Sequence, residues 1–381
     1  MQKVKFKELF SFEKKSKIKA GDSFKLGEGK YPFYTSSDTL SKTLNEFLFK
    51  DESLIFGTGG LASIHYCNEK FAVSTDCFVT QLKNDKETFV KFIYYYLSGN
   101  MHLLENGFKG AGLKHISKGY IEDLEIPLPD LKSQKKIAKI LDTADQLRQY
   151  NKQLITKYDA LMQSLFLEMF GNCNPERNKW DEVKIENIVK SEKGSMRSGP
   201  FGSDLLHSEF VEKGIPVLGI DNAVLNKFQW KQRRYITEKK YQKLKRYTVY
   251  PRDIIITIMG TVGRVALVPD NIGIAINTKH LAAISLNPKV ANPEFIAFSL
   301  HSDLNILSQI NQKGKGAIMT GLNLTIIKEL KLKLPPIDLQ NQFAERVQMI
   351  ETQKQQAQEA LEKSEDLFQS LLQKAFKGEL V

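Results

Sequence analysis

The 381-residue sequence predicts an α/β chain of the α+β kind, in which two similar strand-rich domains are separated by two long helices. The helices are expected to form an antiparallel coiled coil, giving a pseudo-twofold molecule. Three observations lead there. The joint LPDLKSQKKIAKIL at 128–141 returns as LPPIDLQNQFAERV at 334–347, 206 residues later. Each joint opens a heptad run free of Pro and Gly. The stretches before each joint are short apolar runs broken by Gly, Pro, Asn and Asp, the pattern of strands and turns.

Taken in order, residues 1–130 form the first domain, 131–172 the first long helix, 173–333 the second domain and 334–381 the second long helix. In the first helix the seam falls on Ile137, Leu141, Ala144, Arg148, Asn151, Ile155, Tyr158, Met162, Leu165 and Met169, alternating steps of four and three. Gly171 supplies its stop. Adding 206 to each position gives Phe343, Val347, Ile350, Lys354, Ala357, Leu361, Ser364, Phe368, Leu371 and Ala375, and this helix stops at Gly378. Between 124–170 and 330–376, 12 of 47 positions are identical without a gap. Heptad periodicity accounts for shared leucines but not for Pro129/Pro335 or Gln134/Gln340, so the repeat is internal. It extends weakly upstream, where FAVSTDCFVTQL at 71–82 resembles IAINTKHLAAISL at 274–286 and Leu97 matches Leu300. Helices are expected at 88–98 and 293–301, the latter capped by Asn292 with Pro293 in its first turn.

Helix one ends at the second domain and helix two begins there, so burying their seams together makes the pair antiparallel. At about 1.5 Å per residue each rod spans roughly 55 Å.

The net charge of +11 is unevenly distributed. Residues 1–130 hold 18 Lys and Arg against 17 Asp and Glu, whereas 179–330 hold 22 against 14. A localised basic block favours a polyanionic partner, nucleic acid first among them, with a solvated surface as the bland reading. Two similar domains at a fixed separation suit two half-sites on one duplex, and equally a scaffold that binds proteins.

Several classes are disfavoured. The N-terminus lacks a signal peptide's apolar stretch and the longest hydrophobic runs are strand-sized, which points to a cytoplasmic protein. Cys67, Cys77 and Cys173 have no zinc spacing, the six histidines no metal spacing, and no metal is expected. The G-x-x-x-x-G-K-[ST] motif is absent, as is a Gly-rich strand-to-helix loop suited to S-adenosylmethionine. The strings at 57–60 (GTGG) and 260–263 (GTVG) read as tight turns after strands. No catalytic residue is nominated.

Taken together, LPDLKSQKKIAKILDTADQLRQ, SLFLEMFGN (164–172), SGPFGSDL (198–205), DIIITIMGTVGRVALV (253–268) and FQSLLQKAFKGEL (368–380) resemble the specificity subunit of type I restriction-modification systems. The resemblance covers essentially the whole chain. It implies that each domain is a target recognition domain reading half of a split, asymmetric site in double-stranded DNA. It implies that the helices set the spacing and dock two methyltransferase (modification) subunits, to which restriction subunits add. The chain itself is then non-catalytic and carries no cofactor, S-adenosylmethionine, ATP and Mg being expected only on partner subunits. The alternatives are an enzyme with an unrecognised methyltransferase or nuclease site, and a coiled-coil scaffold.

Candidate DNA contacts are side chains suited to base edges or phosphates. The stretch 226–247 carries nine Lys and Arg against one Glu with aromatics between them, and nominates Asn226, Gln229, Lys231, Arg233 and Arg234. Lys313 and Lys315 lie in a Gly-rich turn that matches the one holding Lys109, with Lys114 just beyond. Arg197 before SGPFGS, and Ser36, Ser37 and Lys42 after YPFY, complete the set. For partner subunits, an apolar stripe flanking the first helix's seam nominates Leu147 and Leu154. Gln134 and Gln340 join them as residues that pack the joint or also face a partner.

Overall fold

The computed structural model describes residues 2–230, 233–314 and 321–380. It divides into two compact units, Met1–Leu154 with Gln356–Val381, and Ile155–Gln355.

In the first unit the described residues form two four-stranded sheets. One has the order Phe10–Phe12, Cys77–Leu82, Ser53–Gly57, Ile64–Cys67; the other Phe24–Lys25, Lys42–Leu44, Tyr31–Tyr34, Ala72–Val73. The last pair is parallel, with Phe33 opposite Ala72. Every residue of Ser53–Gly57 is buried because both of its faces are covered. Leu54 and Phe56 point into the cluster under the helix Val90–Gly99, while Ile55 points the other way, against Tyr34, Phe71 and Val79.

The second unit repeats the first sheet's order and also has a second four-stranded sheet, in which the parallel pair is central rather than terminal. Its sheets run Met196–Ser198, Leu281–Ile284, Ile254–Thr257, Val265–Leu267, and Tyr235–Ile236, Ile215–Leu218, Ala275–Asn277, Thr248–Val249. Val217 and Ile276 form the matching parallel pair. Ile254 and Ile256 face the cluster of Phe295 and Leu300, and Ile255 faces Leu218, Val249 and Ala275. The helix Pro293–Ser302 starts as expected, Asn292 Oδ1 accepting from the Glu294 and Phe295 amides at 2.9 and 3.3 Å.

An antiparallel two-stranded ribbon precedes each long helix, Gln2–Lys5 with Glu125–Leu128 and Asp181–Lys184 with Lys331–Leu334. The long helices are Leu131–Phe170 and Ile337–Lys377. Gly378, at φ +79°, lets the Glu379 amide reach back to the Lys374 carbonyl at 2.9 Å and ends the second. Within the first unit the helix residues pair antiparallel: the Arg148 guanidinium lies 3.9 Å over the Phe368 ring, Asn151 Nδ2 donates to Ser364 Oγ at 3.3 Å and Lys152 meets Glu365 at 3.1 Å. Within the second unit Asp159 pairs with Lys354, and Phe166 and Phe170 pack on Phe343. The polar seam positions are thus accommodated by stacking and ion pairing.

The expected seam needs one adjustment. Leu165 and Met169 are only partly buried, while Phe166 and Phe170 are fully so, because at this end of the helix the core of Trp180, Phe295 and Phe343 covers a second face.

Candidate nucleic-acid interface

The two joints are built alike to the level of single hydrogen bonds. Gln134 is fully buried; its Oε1 accepts from the Phe89 amide at 2.8 Å and its Nε2 donates to the Glu87 and Pro129 carbonyls at 2.8 Å each. Gln340 is fully buried; its Oε1 accepts from the Asn292 amide at 2.9 Å and its Nε2 donates to the Val290 and Pro335 carbonyls at 3.1 and 2.8 Å. The expectation that either faces a partner is corrected. Both amides are used up in tying the helix start to the loop before the domain's own helix. Leu147 and Leu154, in contrast, are 46% and 39% exposed on the first helix.

In the first domain, turns at the ends of strands from both sheets gather several nominated residues. Ser36 Oγ donates to the Asp76 carbonyl at 2.7 Å, Ser63 Oγ to the Ser36 carbonyl at 3.1 Å, and His65 Nε2 to the Ser37 carbonyl at 2.8 Å. The Thr58 amide donates to that same Asp76 carbonyl at 2.9 Å, and the Ile116 amide to the Thr58 carbonyl at 3.2 Å. These bonds place Ser36, Ser37, Lys109 and Lys114 on linked loops, both lysines exposed. Gly60, at φ +85°, makes the tight turn expected of GTGG. Burial holds the His65 ring below the usual imidazole range. Lys42 is corrected: its ammonium is half-buried and donates to the Ala20 carbonyl at 2.5 Å.

In the second domain a groove of about 850 Å³ is lined by Lys190, Lys193, Lys245, Arg246, Tyr247 and Tyr250, with Arg197 at its base. Arg197 was expected on the surface and is 7% exposed. Its Nε donates to the Thr248 carbonyl at 2.5 Å and its Nη1 to Ser285 Oγ and the Gly194 carbonyl at 3.0 and 3.1 Å; Nη2 pairs with Asp253, itself buried. With most of its donors occupied inside the fold, Arg197 braces the loops around the groove. Asn226 is likewise corrected to a turn residue, at φ +55°, with Oδ1 accepting from the Val265 amide at 3.0 Å. Arg234 pairs with Asp221, and Gln229 buries its Oε1 without a partner among the described residues. Arg233 is exposed beside Trp230, its guanidinium carbon 5.5 Å from the ring centre. Lys231, Lys315 and the side chain of Lys313 lie outside the described residues.

Sequence reasoning missed Lys190 and Lys193. They sit more than thirty residues before the basic stretch, and only the fold brings them to Lys245 and Arg246. Among the described residues no group of His, Cys, Asp or Glu converges as a metal site, and no helix is long and apolar enough to cross a membrane.

Comparison with known proteins agrees with this layout. The family model described as type I restriction modification DNA specificity domain matches twice, over residues 1–157 and 177–363. The type I restriction enzyme EcoBI specificity subunit of Escherichia coli is 26% identical over 363 residues, with 86% of this chain and 74% of that one aligned. The MjaVIII specificity subunit of Methanocaldococcus jannaschii is 24% identical, with 91% and 85% aligned. The crystal structure of the type I restriction-modification S subunit from M. genitalium superposes with a TM-score of 0.65 at 18% identity, covering 98% and 95%, a likeness of fold. Matched by that family model over both of its domains, this chain belongs to the type I restriction-modification specificity subunit family.

Proposed function

We propose that this chain is the non-catalytic DNA-reading subunit of a type I restriction-modification complex, each domain reading one half of a bipartite, asymmetric site. The observation that carries the reading is the duplicated joint, since a reader of two half-sites needs two domains held by equivalent attachments. In the second domain the groove of Lys190, Lys193, Lys245 and Arg246 tracks phosphates, which supply most of the affinity, while exposed Arg233 reaches toward base edges. In the first domain Ser36, Ser37, Lys109 and Lys114 do this from one loop cluster. Two methyltransferase subunits dock on the helices, with the exposed Leu147 and Leu154 on one such surface. Restriction subunits join through that complex, and S-adenosylmethionine, ATP and Mg are bound by the partners.

The test is co-expression with methyltransferase subunits followed by mapping of modified adenines. A bipartite motif is expected, and exchanging residues 179–330 for those of a relative should change one half of it. A change in both halves, or S-adenosylmethionine binding by the isolated chain, would sink the reading.

A further inference from the structure

Leu61 and Leu113 are 85% and 75% exposed, the highest values among the described large hydrophobic residues. The loops that carry them are also bonded to each other. Gly59 and His115 form an antiparallel bridge, and the Gly60 amide donates to the Lys114 carbonyl at 3.3 Å. Leu61 and Leu113 are the next residues beyond that bond, each in a bend, so two adjoining loops carry them. The tip is held in shape. Lys109 and His115 exchange both backbone hydrogen bonds at 3.0 Å, the His115 ring bonds the Thr58 carbonyl at 3.1 Å, and Gly110, at φ +146°, leaves no room for a Cβ beside the Leu113 carbonyl.

An apolar pair presented this way calls for an occupant, and the charge around it says which. Residues 57–68 carry no Asp, Glu, Lys or Arg, and 106–121 carry Lys109, Lys114 and Lys118 with no acid. In a domain that is nearly neutral as a whole, these two tip segments carry lysines and no acid. Side chains that are apolar at the point and cationic at the shoulders match a stacked base step between two phosphate backbones.

We propose that the first domain inserts Leu61 and Leu113 as a wedge into a base step in or beside its half-site, with Lys109 and Lys114 on the flanking phosphates. The proposal rests on the DNA-reading function above and adds deformation to it. A wedge selects steps that unstack easily, so part of the specificity comes from positions without a base-edge contact. It also gives a nearly neutral domain a source of affinity other than counterion release.

The test uses the full chain in complex with its methyltransferase subunits. Once the modified motif is mapped, duplexes carrying 2-aminopurine at successive steps across the first half-site are titrated with the complex. The wild-type complex should brighten one step several-fold. Leu61→Ala with Leu113→Ala should abolish that rise and weaken binding on the order of tenfold; Leu61→Met with Leu113→Met should restore both. The wedge is refuted if no step brightens, or if the double alanine complex brightens the same step equally. It is also refuted if that variant sheds its methyltransferase subunits, which would make the tip a protein contact. A retained bipartite motif without brightening removes the wedge alone, whereas absence of any modified motif or duplex binding removes the DNA-reading function and the wedge with it.

Discussion

The two domains share the strand order of one sheet, a parallel pair in the other and the glutamine joint, yet they handle charge in opposite ways. The buried charged side chains among the described residues are Arg177, Arg197, Asp253 and Asp303, all in the second domain, where they form two Arg–Asp pairs. The first domain buries only uncharged polar groups. Its loop tips are apolar at the point, whereas the second domain's groove is lined by cations and tyrosines. One framework therefore supports two surfaces of different physics. The joint, the ribbon before it and one sheet are the same, and much of what differs is carried by loops and by the groups bracing them.

The largest expected effect separates the domains. Arg197→Ala strands Asp253 in the core and should destabilise the second unit by about 3–5 kcal/mol, with the first unit's unfolding unchanged. Segment-resolved hydrogen exchange in denaturant reads the two separately. Equal losses in both units would mean that they do not unfold independently.

The joints should instead behave identically. Gln134→Leu and Gln340→Leu each remove three hydrogen bonds and leave a buried amide and two carbonyls unpaired, so each should cost roughly 2–3 kcal/mol. The same exchange measurement compares them. A cost at one joint only would show that the matching geometry hides unequal roles.

Binding should separate the domains again. Lys245→Ala with Arg246→Ala removes two groove cations and should lower the slope of log affinity against log salt by about 2, with affinity down on the order of tenfold. Lys109→Ala with Lys114→Ala in the first domain should lower the slope by no more than that while the base-step distortion is also lost. A slope insensitive to the groove pair would place the phosphate track elsewhere.

What could be read in the sequence follows this division. The helices, their seam and the joint were legible because heptads and a Pro–Gln pair at fixed offset are local patterns, and the strand-rich domains because buried central strands such as 254–257 are continuous apolar runs. The site was less legible. Arg197, Asn226 and Lys42 look like ligand-binding types, but whether a polar side chain faces outward or bonds its own backbone depends on strands and turns distant in sequence. Lys190 was overlooked for the same reason, its neighbours in the groove being supplied by the fold. Phe166 and Phe170 displaced Leu165 and Met169 from the core because a heptad describes one packing face and the domain imposed another.

The smallest effect concerns acid. Burial pushes the His301 imidazole down to about 4, with Arg264 adding to the displacement. The unfolded chain binds this proton from about pH 6.5 downward while the folded one resists, so stability is complete above that pH and is lost as pH falls toward 4. Since the ring keeps some solvent contact, the loss should be about 1–2 kcal/mol rather than the full shift. His65 in the first domain is displaced in the same direction, so both units weaken in acid, but the position that matches His301 there is Ser98 and the larger loss belongs to the second unit. Replacing His301→Gln should flatten the second unit's stability between pH 6.5 and 4.5 and leave the first unit's slope as it was. An unchanged slope in the second unit would show that its acid sensitivity does not come from His301.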